Sequence, residues 1–338
     1  MTPHLAGLWL GFGLCAALVG LAGPALSRNG EIISARTNLS GGWIGLILVA
    51  SITSLPELST GISAVSLADA PDTAVGDVFG SCIFNLAILI VLDFMLREES
   101  VYRRVRQGHI LSSAFGILLI GFAGLTLALH GEGLAVSLFG IGGSTPIIFL
   151  LYGLGARAIF IYEQQDQAVH PPMAREAGIP LAEALRAYAG AAALVVAAGS
   201  ALPFVAVALA GAMGWQQTFV GTLLVAAVTS LPELVVSIVA ARIGAVDLAM
   251  ANILGSNMFN MLVLGIDDLF YRHGPILDHA SPIHVVSAMS CVVMSGLLIA
   301  GLLYRPQNRL FRTVGWISFG LFAMYLLNAY VLFLYGAR

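Results

Sequence analysis

The chain of 338 residues is 59% hydrophobic and 10% charged, with a mean hydropathy of +0.93, against roughly 45–50% apolar and about 25% charged in an ordinary soluble domain. That balance excludes a soluble globular enzyme and makes the lipid bilayer the first expected partner. All 15 basic residues are arginine, and 18 acidic residues leave a net charge of −3, so no cationic reserve exists for phosphates and nucleic acid is not an expected partner.

A membrane-crossing helix takes roughly 20 mostly apolar residues, and the sequence predicts ten. The first five run near residues 5 to 27, 42 to 68, 73 to 96, 109 to 130 and 135 to 161. The next five run near 188 to 213, 216 to 241, 247 to 270, 283 to 304 and 312 to 335. The first stretch lacks a basic leader and is longer than the apolar part of a secretory signal, so it is read as a span. Threading the ten alternately puts 13 arginines on one side, among them Arg28, Arg97, Arg106, Arg242 and Arg305, and only Arg272 and Arg338 on the other. By the positive-inside bias the arginine-rich loops are expected to be cytoplasmic and both termini outside.

Internal self-similarity divides the chain. Residues 45–58, GLILVASITSLPEL, match residues 221–234, GTLLVAAVTSLPEL, at ten of fourteen positions. Further on, Gly80-Ser81-Cys82-Ile83-Phe84-Asn85 matches Gly255-Ser256-Asn257-Met258-Phe259-Asn260, and Asp93 matches Asp268. The expected organisation is a first five-helix repeat over 1–162, a cytoplasmic linker over 163–187 and a second five-helix repeat over 188–338. Five is odd, so the second repeat enters the membrane upside down. The fold class is therefore an all-α integral membrane protein of ten transmembrane helices in two inverted-topology repeats, an arrangement that puts a transporter's site near the midplane.

The repeated residues suit a cation. Glu57 and Glu233 lie about fifteen residues into their spans, where a charge costs several kcal/mol, and neither motif supplies a basic neighbour. A bound cation or proton is the natural counter-charge. Pro56 and Pro232 break the helices, because proline has no N–H for the carbonyls of Ile52 and Val228, and freed carbonyls at this depth line cavities or bind ions. Thr53, Ser54, Thr229 and Ser230 put hydroxyls on the same turns. On the third span Asp77, Ser81 and Asn85 recur every four residues, as do Asn252, Ser256 and Asn260 on the eighth, so each trio forms one polar stripe. The donor set is all oxygen, which suits a hard cation such as Ca2+. Two carboxylates are neutralised equally by one Ca2+, two Na+ or two protons, and if only compensated states change access, influx and efflux are coupled as antiport.

At these residues the sequence resembles the calcium/cation antiporter superfamily, specifically the sodium/calcium exchangers, whose two alpha-repeats carry Gly-Thr-Ser-x-Pro-Glu and Gly-Ser-Asn-x-x-Asn/Asp. The resemblance implies that Glu57 and Glu233 are the main cation ligands. It also implies support from Thr53, Ser54, Ser81, Asn85, Thr229, Ser230, Ser256 and Asn260, carbonyl ligands from Ala50 and Ala226, and a sliding of spans 1 and 6 across the core. Ile52 and Val228 stand where the family has Gly, Cys82 replaces Asn, and Asp77 stands where many members have Asn. The second motif ends in Asn260, not the Asp of potassium-dependent exchangers. Neither stripe ends in the Glu typical of the proton-coupled branch, so the resemblance favours Na+ over H+ as the coupling ion.

The remaining residues carry less. Asp93 and Asp268 sit near span ends, which suits capping or interfacial solvation rather than ion binding, and Asp77 is open between the site and an outer vestibule. The histidines fall near interfaces as solvated residues. With no histidine mid-span, an intramembrane hydrolase lacks a base for Ser81 or Ser256. Mg2+ or Mn2+ would suit the same oxygens as Ca2+. No cofactor and no protein partner are implied, only transported cations and lipid.

Overall fold

The computed structural model describes residues 3–36, 52–96, 99–130, 137–138, 140–169, 179–306, 309–310 and 314–335. Eleven helices organise them: α1 (Pro3–Arg36), α2 (Leu55–Ser66), α3 (Pro71–Met95), α4 (His109–His130), α5 (Ser144–Val169), α6 (Leu181–Met213), α7 (Gln217–Thr229), α8 (Leu231–Arg242), α9 (Val246–Phe270), α10 (His284–Tyr304) and α11 (Trp316–Tyr335). Among the described residues eight are long and apolar enough to cross a bilayer by themselves, and α7 with α8, bent by 45°, makes a ninth. Most of the expected second span lies outside the described residues, and α2 is its last part. At 1.5 Å per residue the 25-residue α3 and α9 reach about 37 Å each, enough for the roughly 30 Å hydrocarbon layer.

Three expected boundaries shift. The fifth span starts at Ser144 rather than 135, because Ser137–Leu138 and Ile141–Gly142 pair as short antiparallel strands, Ser137 opposite Gly142, with Gly140 between them at φ 82°. A second hairpin, pairing Arg309 with Gly315, delays the tenth span to Trp316. The sixth span begins at Leu181, since the stretch from Leu181 to Ala187 is rich in helix-forming Leu, Ala, Glu and Arg. Helix therefore enters the expected linker from both sides, α5 running on to Val169. Residues 170–178 of that linker lie outside the described residues.

Helices α2, α3, α8 and α9 pack around the middle, with α3 against both α9 and α7. The long α1 and α6 lie along each other, α1 also against α8 and α6 against α2, while α4 pairs with α10. The main apolar core runs through α3, α4, α9 and α10, with Phe79, Leu86, Leu119, Ile253, Met258 and Met294 buried. The outward faces of α1 and α11 expose Leu10, Leu14, Leu21, Phe319, Tyr330 and Phe333, as lipid-facing surfaces should.

Polar contacts define two ends of this bundle. At one, the turn after α2 meets the segment after α9: Asp69 faces His273 at 3.6 Å, and Asp72 accepts from Ser281 N at 2.6 Å. His284, expected to be solvated, is fully buried there and lies 3.2 Å from Asp72. At the other end Asp247 gathers Arg106 and His109, and Arg305 donates to the Val105 carbonyl at 3.4 Å. Loops following spans 2 and 8 thus share one end, and loops following spans 3, 7 and 9 share the other, as alternate threading requires.

Asp93 and Asp268 are buried rather than solvated, and both act as caps. Asp93 accepts from Ser100 Oγ at 2.9 Å, Val101 N at 3.2 Å, Gly315 N at 2.8 Å and Ser318 Oγ at 2.8 Å. Asp268 accepts from Ile276 N at 2.7 Å, Gly142 N at 2.8 Å and Thr145 Oγ1 at 2.5 Å. Each carboxylate ties its own following turn to the hairpin and last helix of the opposite half. Backbone N–H and hydroxyl donors of this number satisfy the oxygens of a buried carboxylate.

Candidate cation site

The site grows out of two matched interruptions. Ser54 (φ −90°, ψ 17°) and Ser230 (φ −85°, ψ 10°) sit between helical turns, each followed by a helix with proline in its first turn. Because Pro56 and Pro232 donate nothing, the backbone reconnects around them, with Leu58 N on Ser54 O and Leu234 N on Ser230 O, both at 3.1 Å. Just before the second break, Val220–Val225 is wound as a π-helix, a local widening that recurs at functional sites. Gly80 lets α3 lie against this segment, since a Cβ there would collide with the Thr222 carbonyl.

Both glutamates are fully buried. Their hydrogen bonds cross between the halves: Ser230 Oγ donates to Glu57 Oε1 at 3.2 Å, and Ser54 Oγ donates to Glu233 Oε1 at 3.4 Å. Ser256 Oγ adds a second donor to Glu233 at 3.2 Å. The stripes meet the broken turns in the same crossed way, Thr53 against Ser256 and Ser81 against Thr229, each at 3.2 Å. Asp77 is fully buried and accepts from Thr229 Oγ1 at 2.8 Å and Ser81 Oγ at 3.4 Å, so it faces the same cluster and not an outer vestibule. The Glu57 carboxylate lies within electrostatic reach of both the Asp77 and the Glu233 carboxylates.

Several oxygens remain unused. Glu57 Oε2, Glu233 Oε2, Asp77 Oδ2, Asn260 Oδ1 and both polar atoms of Asn85 are buried without a hydrogen-bond partner among the described residues. Each such neutral group costs about 1–3 kcal/mol, and an ionised carboxylate more. Among the described residues no three acidic, histidine or cysteine side chains close into a metal cage, so an ion here would draw on neutral oxygens as well as carboxylates.

Other expected ligands stand apart from this cluster. Asn252 is half-buried and donates to the Glu233 carbonyl and to Ser237 Oγ. The Ala226 carbonyl already accepts from Ser230 N at 3.0 Å and from Thr229 Oγ1 at 3.2 Å. Asn260 approaches Cys82 Sγ at 3.9 Å, and Asn85 bonds to none of the cluster. Ala50 lies outside the described residues.

The sequence reading passed over two features. Cys82 and Asn257, equivalent positions of the two motifs, bond reciprocally: Asn257 Nδ2 donates to the Cys82 carbonyl at 3.2 Å, and Cys82 Sγ to the Asn257 carbonyl at 3.7 Å. Asp267 is a fully buried carboxylate with both oxygens unpartnered. Its neighbour Asp268 carried the motif match, and a single adjacent acid gave no signal of its own.

An apolar helical bundle with two broken helices and a buried cluster of carboxylates and hydroxyls is the build of a membrane transporter. The chain matches the model of the sodium/calcium exchanger protein family over residues 7–154 and 185–331, and it belongs to that family of transporters, an integral multi-pass membrane protein and not an enzyme. The inner membrane protein YrbG of Escherichia coli (strain K12) is 28% identical over 300 residues, covering 85% of this chain and 86% of that protein. Among solved structures, an H+/Ca2+ exchanger CAX superposes with a TM-score of 0.67 at 16% identity, covering 96% of this chain and 81% of its own. The sodium-calcium exchanger NCX_Mj superposes with a TM-score of 0.62 at 23% identity, covering 98% and 99%.

Proposed function

We propose that the protein is a secondary antiporter exchanging Ca2+ for Na+ by alternating access, with Glu57 and Glu233 as the main ligands. Thr53, Ser54, Asp77, Ser81, Thr229, Ser230 and Ser256 support the ion, and Asn85 and Asn260 turn toward it when it binds. The observation that carries this reading is the crossed pairing of the two buried glutamates, each bonded by a serine of the other half and each keeping one oxygen free. Two carboxylates from opposite halves hold a divalent ion that neither holds alone. When that ion leaves, two monovalent cations restore neutrality, so an empty and doubly charged site does not cross between access states.

The architecture that goes with this reading is ten spans in two inverted repeats, 1–162 and 188–338, joined by a cytoplasmic linker, with both termini outside. The reciprocal contacts made by equivalent residues, Ser54 equivalent to Ser230 and Glu57 to Glu233 at a spacing of 176, and Cys82 to Asn257 at 175, support it. The coupling ion is Na+, because neither polar stripe ends in glutamate, and H+ is the alternative that the same oxygens would accept. Proteoliposomes loaded with Na+ should take up 45Ca2+ when diluted into Na+-free buffer, and Glu57→Gln or Glu233→Gln should abolish the uptake. Uptake driven by a pH gradient and indifferent to Na+ would overturn sodium coupling, and Ca2+ flux without any opposing gradient would overturn antiport.

A further inference from the structure

Asp267 lies seven residues beyond Asn260, two helical turns further along the polar stripe of α9, near the end of the bundle that carries Asp69 and His273. The equivalent position in the first half is Leu92, so this acid is not part of the repeated motif. It is fully buried, and neither oxygen meets a donor among the described residues. Its carboxylate is pressed against α2 one turn beyond Glu57, where a Cβ on Gly61 would collide with both of its oxygens. The adjoining Asp268 points elsewhere and is saturated by its own donors. Repulsion links Asp267 to Asp77, Asp77 to Glu57 and Glu57 to Glu233. Four buried carboxylates thus form one electrostatic chain, of which the central pair accounts for two.

We infer that Asp267 is a second cation position, separate from the Glu57 and Glu233 pair, that holds one monovalent positive charge as Na+ or as a proton. A lone carboxylate buried without any donor needs a counter-charge, because the desolvation of an unpaired charge is many kcal/mol. A divalent ion asks for six to eight oxygens, and the carboxylates within electrostatic reach, Asp77 and Asp268, are already engaged on at least one oxygen. The inference rests on the exchanger reading for its place in a transport cycle, but the binding it predicts is measurable without transport.

The test compares purified full-length protein with Asp267→Asn in two arms. In the first, 22Na+ bound at saturation is counted at fixed pH; in the second, with choline replacing Na+, the protons released by saturating Ca2+ are counted in weak buffer. The wild type should exceed the variant by one ion per chain in one arm, and that arm identifies the ion. Equal counts in both arms overturn the inference. Asp267→Leu, which installs the residue of the first half, makes the same comparison if the asparagine variant does not fold. Should wild-type liposomes take up no Ca2+ under any gradient while one arm still differs by one, the exchanger reading fails and the second position stands.

Discussion

Ser230 of the second half donates its hydroxyl to Glu57 of the first across 3.2 Å, and Ser54 makes the matching bond to Glu233 at 3.4 Å. Neither serine touches the glutamate of its own motif in this way, so the two broken helices are read by each other. A hydrogen bond to a charged group is worth about 1.5–3 kcal/mol, and 1.4 kcal/mol is tenfold in affinity. Ser54→Ala and Ser230→Ala should therefore each weaken Ca2+ affinity by roughly tenfold or more. The double variant should lose more than either alone, with protein yield unchanged. Equilibrium 45Ca2+ binding to the purified variants checks this, and an unaltered dissociation constant would show that the serines only close the empty site.

The prolines do not touch an ion, yet they shape where it sits. Restoring an N–H at position 56 or 232 lets the helix run on through Ser54 or Ser230, which at position 232 closes the bend of 45° that separates α7 from α8. Pro56→Ala and Pro232→Ala should each let the two helical pieces join into one continuous helix, in whose interior proline would cost about 3 kcal/mol, and at the same time rotate the hydroxyls of Thr53 or Thr229 away from their partners. The expected result is a higher melting temperature with Ca2+ uptake reduced at least tenfold. A variant that melts higher and still transports at the wild-type rate would separate the break from the function.

Much of this site was legible before any geometry because it is written twice. Thr-Ser-Leu-Pro-Glu-Leu recurs in apolar surroundings, and a proline beside a carboxylate at membrane depth has few other uses. The four-residue spacing of Asp77, Ser81 and Asn85 puts them on one face; in the structure Ser81 Oγ donates to Asp77, and Thr229 reaches it from the other half. What the sequence hid was unpaired with any repeat. Asp267 has leucine as its counterpart, and the hairpins at 137–142 and 309–315 are too short to interrupt a hydropathy window. The burial of Asp93 and Asp268 was hidden for a different reason: position near a span end speaks for solvent, and only the fold brings Gly315 and Gly142 close enough to take its place.

Those two aspartates predict a stability effect without a transport defect. Asp93→Asn and Asp268→Asn keep the shape but turn an amide toward groups that are all donors, so one nitrogen faces Gly315 or Ser318, Gly142 or Thr145. Leaving buried donors without an acceptor costs about 1–3 kcal/mol each, and the loss falls on the anchoring of the last helix of the opposite half. Each variant should unfold several degrees below the wild type in a thermal melt, while Ca2+ affinity measured at low temperature stays within a few-fold. A wild-type melting temperature would mean that these carboxylates do not carry the junction.

In the alternating access proposed above, α1 and α6 are the helices that would slide over the core, and the structure shows which residues they rest on. Gly23 of α1 lies on the ring of Pro232, and Gly199 of α6, 176 residues later, lies on Ser59 and the Pro56 carbonyl. A Cβ at either position would collide with these neighbours, so the long helices cross the broken ones at glycine contacts on both sides of the site. The α6 crossing is also latched, by Thr60 Oγ1 on the Gly199 carbonyl at 3.2 Å and Ser63 Oγ on the Ser200 carbonyl at 2.6 Å. Gly199→Ala should force this contact apart, biasing the equilibrium between access states without touching a ligand. A bias of about 1.4 kcal/mol changes a two-state ratio tenfold. Exchange turnover should fall by about that factor, with equilibrium Ca2+ binding in detergent nearly unchanged. Thr60→Ala and Ser63→Ala, which release the latch, should move turnover the opposite way or leave it intact. If Gly199→Ala instead abolishes Ca2+ binding together with transport, the glycine contact belongs to the site and not to the motion.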